Sequence, residues 1–296
     1  MNVIDPTATQ PAPAGPASTL PEFVLDLTPA SSTAARLRLA LADLRGGWTY
    51  RHLAGALAWI DIKLRYRGSV LGPFWLTLST ALMVAAMGVI YATLFHMTLR
   101  TYLPFLTLSL VLWNFLSALI SEACTSYTAV ETTIRALRLP FIVHALRVVL
   151  RNLLVLAHNV VVIVAVYLIF GIWPGATGLL VLPGLALWAV DALFVTLLLG
   201  ALCARFRDIP PIVASLMQMA FFVTPVIWQP DLVGKSRLWL LPFNPFYTLL
   251  EVVRGPLLGS APSGEVWLSA VLATVALTLL GFWLFMRTRS RIAFWV

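Results

Sequence analysis

Charge is what this 296-residue sequence has least of: 11% of its residues are charged, 60% are hydrophobic, and the mean hydropathy is +0.91. Globular domains carry about a quarter of their residues as charges, so a solvated surface around the whole chain is excluded and most of it has to face lipid. Cysteine is almost as scarce. Cys124 and Cys203 cannot build a disulfide framework, and no C-x-x-C pair or Cys/His cluster points to zinc. The phosphate loop G-x-x-x-x-G-K-[ST] is missing, as are H-E-x-x-H, G-x-S-x-G and G-x-G-x-x-G. With no catalytic constellation the chain reads as a non-enzyme that binds no cofactor of its own. If it moves a solute uphill, the energy comes from another subunit or from an ion gradient, and the scarcity of acids within the apolar runs argues against the gradient.

What the sequence does have is long apolar runs. About 20 apolar residues cross a hydrocarbon core of roughly 30 Å, and six candidates lie at 73–95, 103–121, 143–170, 177–202, 209–228 and 266–286. The second is the least hydrophobic, holding Thr107, Ser109, Asn114, Ser117 and Ser121. With the N-terminus inside, sixteen of the 20 Lys and Arg fall in inner segments and only Arg100, Lys235, Arg237 and Arg254 fall outside. This positive-inside bias places both termini in the cytoplasm. It also accounts for the net charge of +8 without nucleic acid. The expected architecture is an all-α polytopic membrane protein with six transmembrane helices in the permease region 73–286. A Pro/Ala-rich disordered tail (1–35), a cytoplasmic interface region (36–72) and a basic C-terminal tail (287–296) flank it.

Several segments are neither span nor simple loop. Leu53, Leu57, Ile60 and Leu64 recur at helical spacing, predicting an amphipathic interface helix between Trp48 and Arg67 that is either an anchor or a lever. His144, Arg147, Arg151 and His158 share one face of the third span, where arginines have to snorkel, pair, or face water or an anion. Asp191, mid-span, reads either as a proton site or as an acid hydrogen-bonded within a helix interface. From Thr224 to Gly264 the outer stretch carries Pro225, Trp228, Trp239, Phe243, Phe246, Tyr247 and an apolar L-L-E-V-V run, which predicts short gate helices between the fifth and sixth spans. The alternative there is interfacial anchoring by an aromatic belt.

Four further segments carry a resemblance: D-I-K-L-R-Y-R-G-S-V-L-G-P-F-W (61–75), L-P-F-I-V-H-A-L-R-V-V-L-R-N-L (139–153), C-A-R-F-R-D-I-P (203–210) and N-P-F-Y-T-L-L-E-V-V-R-G-P-L-L-G (244–259). In this order, with R-I-A-F-W-V at the C-terminus (291–296), the sequence resembles permease subunits of type 2 ABC exporters for bacterial cell-surface polysaccharides, the lipopolysaccharide O-antigen branch above all. Asp191 and the Pro-rich tail lie outside the resemblance. It implies an inner-membrane homodimer working with two copies of a separate ABC ATPase, which would bind the ATP and Mg. The expected cargo is a polyprenyl-pyrophosphate-linked glycan. The resemblance also sets the coupling surface on the ATPase at the interface helix and at 126–139, for which Arg51, Asp61, Lys63, Glu131, Arg135 and Arg138 are the candidates.

Within that frame Arg65, Arg67, Arg147 and Arg151 are candidates for the lipid pyrophosphate, because guanidinium groups bind phosphate oxygens bidentately. Trp75, Tyr91, Trp113, Phe115, Phe222 and Trp228 are candidates for a channel that holds sugars weakly, their alternative being ordinary packing. Two rival classes remain: an ion-coupled carrier or flippase using Asp191, and a membrane glycosyltransferase, for which Asp208, Asp231 and Glu251 are scattered acids. Capsule or teichoic acid is the rival cargo.

Overall fold

The computed structural model describes residues 32–296 apart from 73, 138 and 234, and no side chains at 233 or 235–238. Residues 1–31 of the Pro-rich tail, and the coupling candidate Arg138, therefore lie outside the described residues. The described chain is helical without a strand: α1 (Thr33–Thr49), α2 (Arg51–Arg65), α3 (Phe74–Leu94), α4 (Leu99–Cys124), α5 (Glu131–Ala136), α6 (Phe141–Phe170), α7 (Val181–Arg205), α8 (Ile209–Val223), α9 (Pro245–Leu257) and α10 (Gly264–Trp295). Local chemistry sets the boundaries. Ser32 caps α1 by accepting the Ala35 amide at 3.2 Å, Gly171 ends α6 in the left-handed region at φ 64°, and the Asn244 side chain caps the Phe246 and Tyr247 amides ahead of Pro245.

Among the described residues, five helices are long and apolar enough to cross a membrane: α3, α4, α6, α7 with the turn before it (Gly175–Arg205), and α10. The fifth expected span, 209–228, folds as the 15-residue apolar helix α8. At 1.5 Å per residue that is about 22 Å, less than a hydrocarbon core. Pro225 explains the early stop. It has no N–H to continue the ladder, and it drives the preceding residue into extended backbone, where Thr224 sits at φ −84°, ψ 139°.

The second span, the most polar of the predicted six, is the most deeply enclosed helix. Tyr102, Leu106, Thr107, Leu108, Ser109 and Val111 of α4 all have 0% exposure, so the Thr107 and Ser109 hydroxyls meet protein and not lipid. Thr107 returns its proton to the Leu103 carbonyl at 2.7 Å. By contrast α3 buries only Val84, Gly88 and Ala92, and most of its apolar side chains face outward.

Helices α7 and α10 run in the same direction. Thr274 Oγ1 donates to Asp191 Oδ2 at 3.0 Å, Gly281 packs on the backbone of Phe194, and Leu197, Ala201 and Ala204 share a core with Phe285 and Ile292. A Cβ at Gly281 would lie 2.7 Å from the Phe194 carbonyl oxygen, so the close approach needs glycine. Gly281→Val is expected to wedge the pair apart and to cost about 1–3 kcal/mol, the range for overpacking a dense interior, read as a lowered melting temperature of the purified chain. An unchanged melting temperature would show that the contact yields freely.

At one end of the bundle α1 is fixed to the C-terminal part of α10 by Arg289 Nε donating to Asp43 Oδ2 at 2.7 Å, both groups buried. The start of α6 lies at the same end, where Gly47 of α1 abuts Ile142. At the opposite end, α9 is held by Tyr167 donating to the Leu257 carbonyl at 2.7 Å and by the Val252 backbone against Gly184.

Candidate functional site

The strongest concentration of charge joins α2, α4 and α6. Of the stripe predicted for α2, Leu53, Ile60 and Leu64 are exposed and Leu57 is half-buried, whereas Ala54, Ala58 and Ile62 pack inward. The two alanines let α2 approach α6 closely, Ile62 fills the contact beyond them, and Asp61 is brought against the arginines of the third span. Arg147 grips Asp61 with two hydrogen bonds, its Nε at 2.8 Å from Oδ2. Arg151 bridges two carboxylates, with Nη1 at 3.0 Å from Asp61 Oδ2 and Nη2 at 2.7 Å from Glu122 Oε2. Glu122 also accepts from Asn152 at 2.6 Å and from Arg65 at 2.9 Å.

Three guanidinium groups against two carboxylates leave one positive charge in excess. The side chains of Asp61, Arg147 and Arg151 are only 11–18% exposed, so the pairs are shielded far more than surface ion pairs. Burial pushes the Asp61 carboxyl up, but the hydrogen bonds and charge of Arg147, and then of Arg151, outweigh it and hold the group below the usual carboxylate range. The cluster thus ties the amphipathic helix to both α4 and α6.

This arrangement merges two groups that the sequence reading kept apart. Arg65, Arg147 and Arg151, candidates for pyrophosphate, are engaged with carboxylates, and Asp61, a coupling candidate, is one of them. Arg67 stands exposed outside the cluster. Glu122 went unnoticed because the second span was ended at Ser121, whereas α4 runs on to Cys124 and carries the carboxylate to the foot of α6. An acid one residue beyond a span edge, beside a span that enters with two arginines, was the available signal.

Other candidates disperse. Arg51 lies over the Trp48 ring at 5.0 Å and Lys63 over Trp59 at 5.6 Å, both on α2. Glu131 pairs with Arg135 at 2.7 Å on α5, and Arg135 also donates to the Val296 backbone oxygen, bracing α5 on the end of α10. Of the aromatics, Trp113 and Phe115 are core residues in this single chain, Trp113 against Phe221 and Phe246, and Phe115 stacked on Trp188 at 5.3 Å. Tyr91 stacks on Phe95 at 5.8 Å. Trp75 and Phe222 are exposed, and Trp228 donates to the Phe222 carbonyl at 3.1 Å. Asp191 takes its bond from Thr274 across the α7–α10 contact, as an acid serving a helix interface would.

A second buried ionic group was also missed. Arg254, counted among outer-loop charges, is 1% exposed within α9. It donates to Glu251 through Nε and Nη2 and to Ser109 Oγ and the Pro225 carbonyl through Nη1, and it lies 4.5 Å from the centre of the Phe105 ring.

The O-antigen export system permease protein RfbA of Klebsiella pneumoniae is 24% identical over 238 residues, covering 79% of this chain and 90% of the relative. The protein of the same name from Myxococcus xanthus is 26% identical over 209 residues, or 69% of this chain and 79% of the relative. A match to the ABC-2 type transporter family spans residues 52–258, from α2 through α9, and so takes in both ionic groups. The chain therefore belongs to the ABC-2 type transporter family.

Proposed function

We propose that this chain is the transmembrane subunit of an ATP-driven exporter that carries a lipid-pyrophosphate-linked polysaccharide, an O-antigen, across a bacterial inner membrane. The observation that carries this reading is the similarity to O-antigen export permeases along 79% of the chain, together with a family match that covers every apolar helix up to α9. The sequence holds no phosphate loop, so ATP and Mg belong to a separate ABC ATPase, two copies of which serve a homodimer of this chain. The parallel course of α7 and α10 supports a further crossing between them. The chain has to return to the far end, and α8 with the stretch after Thr224 is what returns it. Six crossings then leave both termini in the cytoplasm, as the distribution of arginines asks.

In this mechanism the ATPase pushes on α2 and α5. Asp61 passes the push to Arg147 and Arg151, because breaking buried ion pairs costs more than moving the helices together. The guanidinium excess of the cluster, with Arg67 nearby, offers the pyrophosphate its first contact. Trp75, Phe222 and Trp228 offer ring faces to passing sugars, and α9 with the turns before it gates the outer mouth. The test is affinity purification from native membranes in mild detergent with mass spectrometry of the co-eluting proteins. An ABC ATPase at one copy per permease is expected. Its reproducible absence from an intact permease dimer would overturn the reading.

A further inference from the structure

A cavity of about 850 Å³ opens at the end of the bundle opposite the ionic cluster, between α4, α9, the start of α10 and the turns before α9. It is the size of an ordinary small-ligand site, and its wall is chemically mixed. Trp239 presents an exposed ring, held edge-on by Phe243 at 6.2 Å. Glu251 is fixed from behind by Arg254, yet both of those hydrogen bonds go to Oε2. Its Oε1 accepts no hydrogen bond among the described residues, and neither does the Tyr247 hydroxyl take part in one; both residues line the cavity. Gln229 and Asp231 complete a rim of donors and acceptors.

An apolar plane that lines one cavity with a fixed carboxylate, a phenol and an amide is the pattern that suits a pyranose: C–H bonds on its faces, hydroxyls around its edge. An anion would meet three carboxylates, Asp231, Glu251 and Glu265, against Arg100 and an Arg254 already paired with Glu251. A lipid chain would strand the buried polar groups. No cluster of metal-ligating side chains occurs among the described residues. Resting on the export reading, we propose that this cavity is a docking site for the emerging glycan on the outer face. One sugar stacks on Trp239 while its hydroxyls bond to Glu251 Oε1 and Tyr247. A chain held there after each advance is hindered from slipping back.

The test uses the full chain in lipid nanodiscs and, as the probe, polysaccharide released by mild acid from the surface of the producing cells, with binding read by saturation-transfer NMR. The wild type is expected to bind. Trp239→Ala should weaken binding at least about tenfold, the scale on which loss of a large aromatic anchor is felt, without lowering the melting temperature, since the ring is 62% exposed. Tyr247→Phe, which keeps the ring and removes the hydroxyl, should weaken binding more modestly. Unchanged affinity in both variants, or no binding by a wild-type chain that still exports glycan in cells, would overturn the site and leave the export reading standing. Normal surface glycan in cells lacking the chain would overturn the export reading and this proposal with it.

Discussion

Replacing Arg254 by methionine is expected to remove the outer third of the fold from the native state. The side chain is 1% exposed and its guanidinium ties Glu251, Ser109 and the Pro225 carbonyl together across α9, α4 and the chain beyond α8. Methionine restores most of the packing on Phe105 but leaves a carboxylate with no counter-charge. Breaking one side of a buried ion pair costs about 3–5 kcal/mol, enough to show as a large drop in melting temperature and as new protease cleavage between residues 224 and 263. Lysine is not expected to rescue, because one ammonium cannot reach partners on three sides in the way a planar fork does. The double change Arg254→Met with Glu251→Gln should recover part of the loss, since it removes the stranded charge. A single Arg254→Met chain as stable as wild type would mean that α9 is held by its apolar face alone.

Asp61→Asn should be the second largest. It leaves three guanidinium groups around the single carboxylate of Glu122 and frees α2 from α6. The pairs keep some exposure, so the expected cost is about 2–3 kcal/mol, below that of a fully buried pair. Surface glycan should fall to under about a tenth of the wild-type level, because a push on α2 no longer reaches the membrane helices and a factor of ten corresponds to about 1.4 kcal/mol of lost coupling. A double-mutant cycle with Arg147→Gln measures that coupling, and strictly additive effects would disprove a mechanical link. The pH dependence has a definite sign. The folded value of Asp61 lies below the ordinary 3.8, so its contribution is present above pH 3.8 and is lost as pH falls through the lower folded value. Wild type and Asp61→Asn should therefore differ across neutral pH and converge only under strongly acidic conditions.

Both predictions rest on groups that a linear reading sees only in part. Arg147 and Arg151 announced themselves as arginines entering an apolar run, and their need for a partner was legible. The identity of the partners was not, since Asp61 lies 86 residues from Arg147 and Glu122 lies 29 residues from Arg151. Arg254 was misread for a related reason. It sits outside any long apolar run, so the count treats it as a solvated loop charge, whereas α9 folds back onto α4 and buries it. The amphipathic segment was found as a helix, but its buried side proved to be Ala54, Ala58 and Ile62, because the face that turns to α6 is the one that carries the two alanines and Asp61, and Leu53, Ile60 and Leu64 are left outside.

What the sequence determined by itself follows from composition and local chemistry. Too little charge for a soluble surface, apolar runs of span length and arginines biased to one side are local quantities, and they settled helical class, membrane residence and most helix positions. The tertiary structure decided what depends on neighbours distant in the chain. It enclosed the polar second span in protein, cut the expected fifth span to 15 residues ahead of Pro225, set α7 and α10 parallel, and turned isolated arginines into three ionic joints. A charge in a low-dielectric interior takes its meaning from what lies within a few ångströms of it, and that distance is set by how the helices pack.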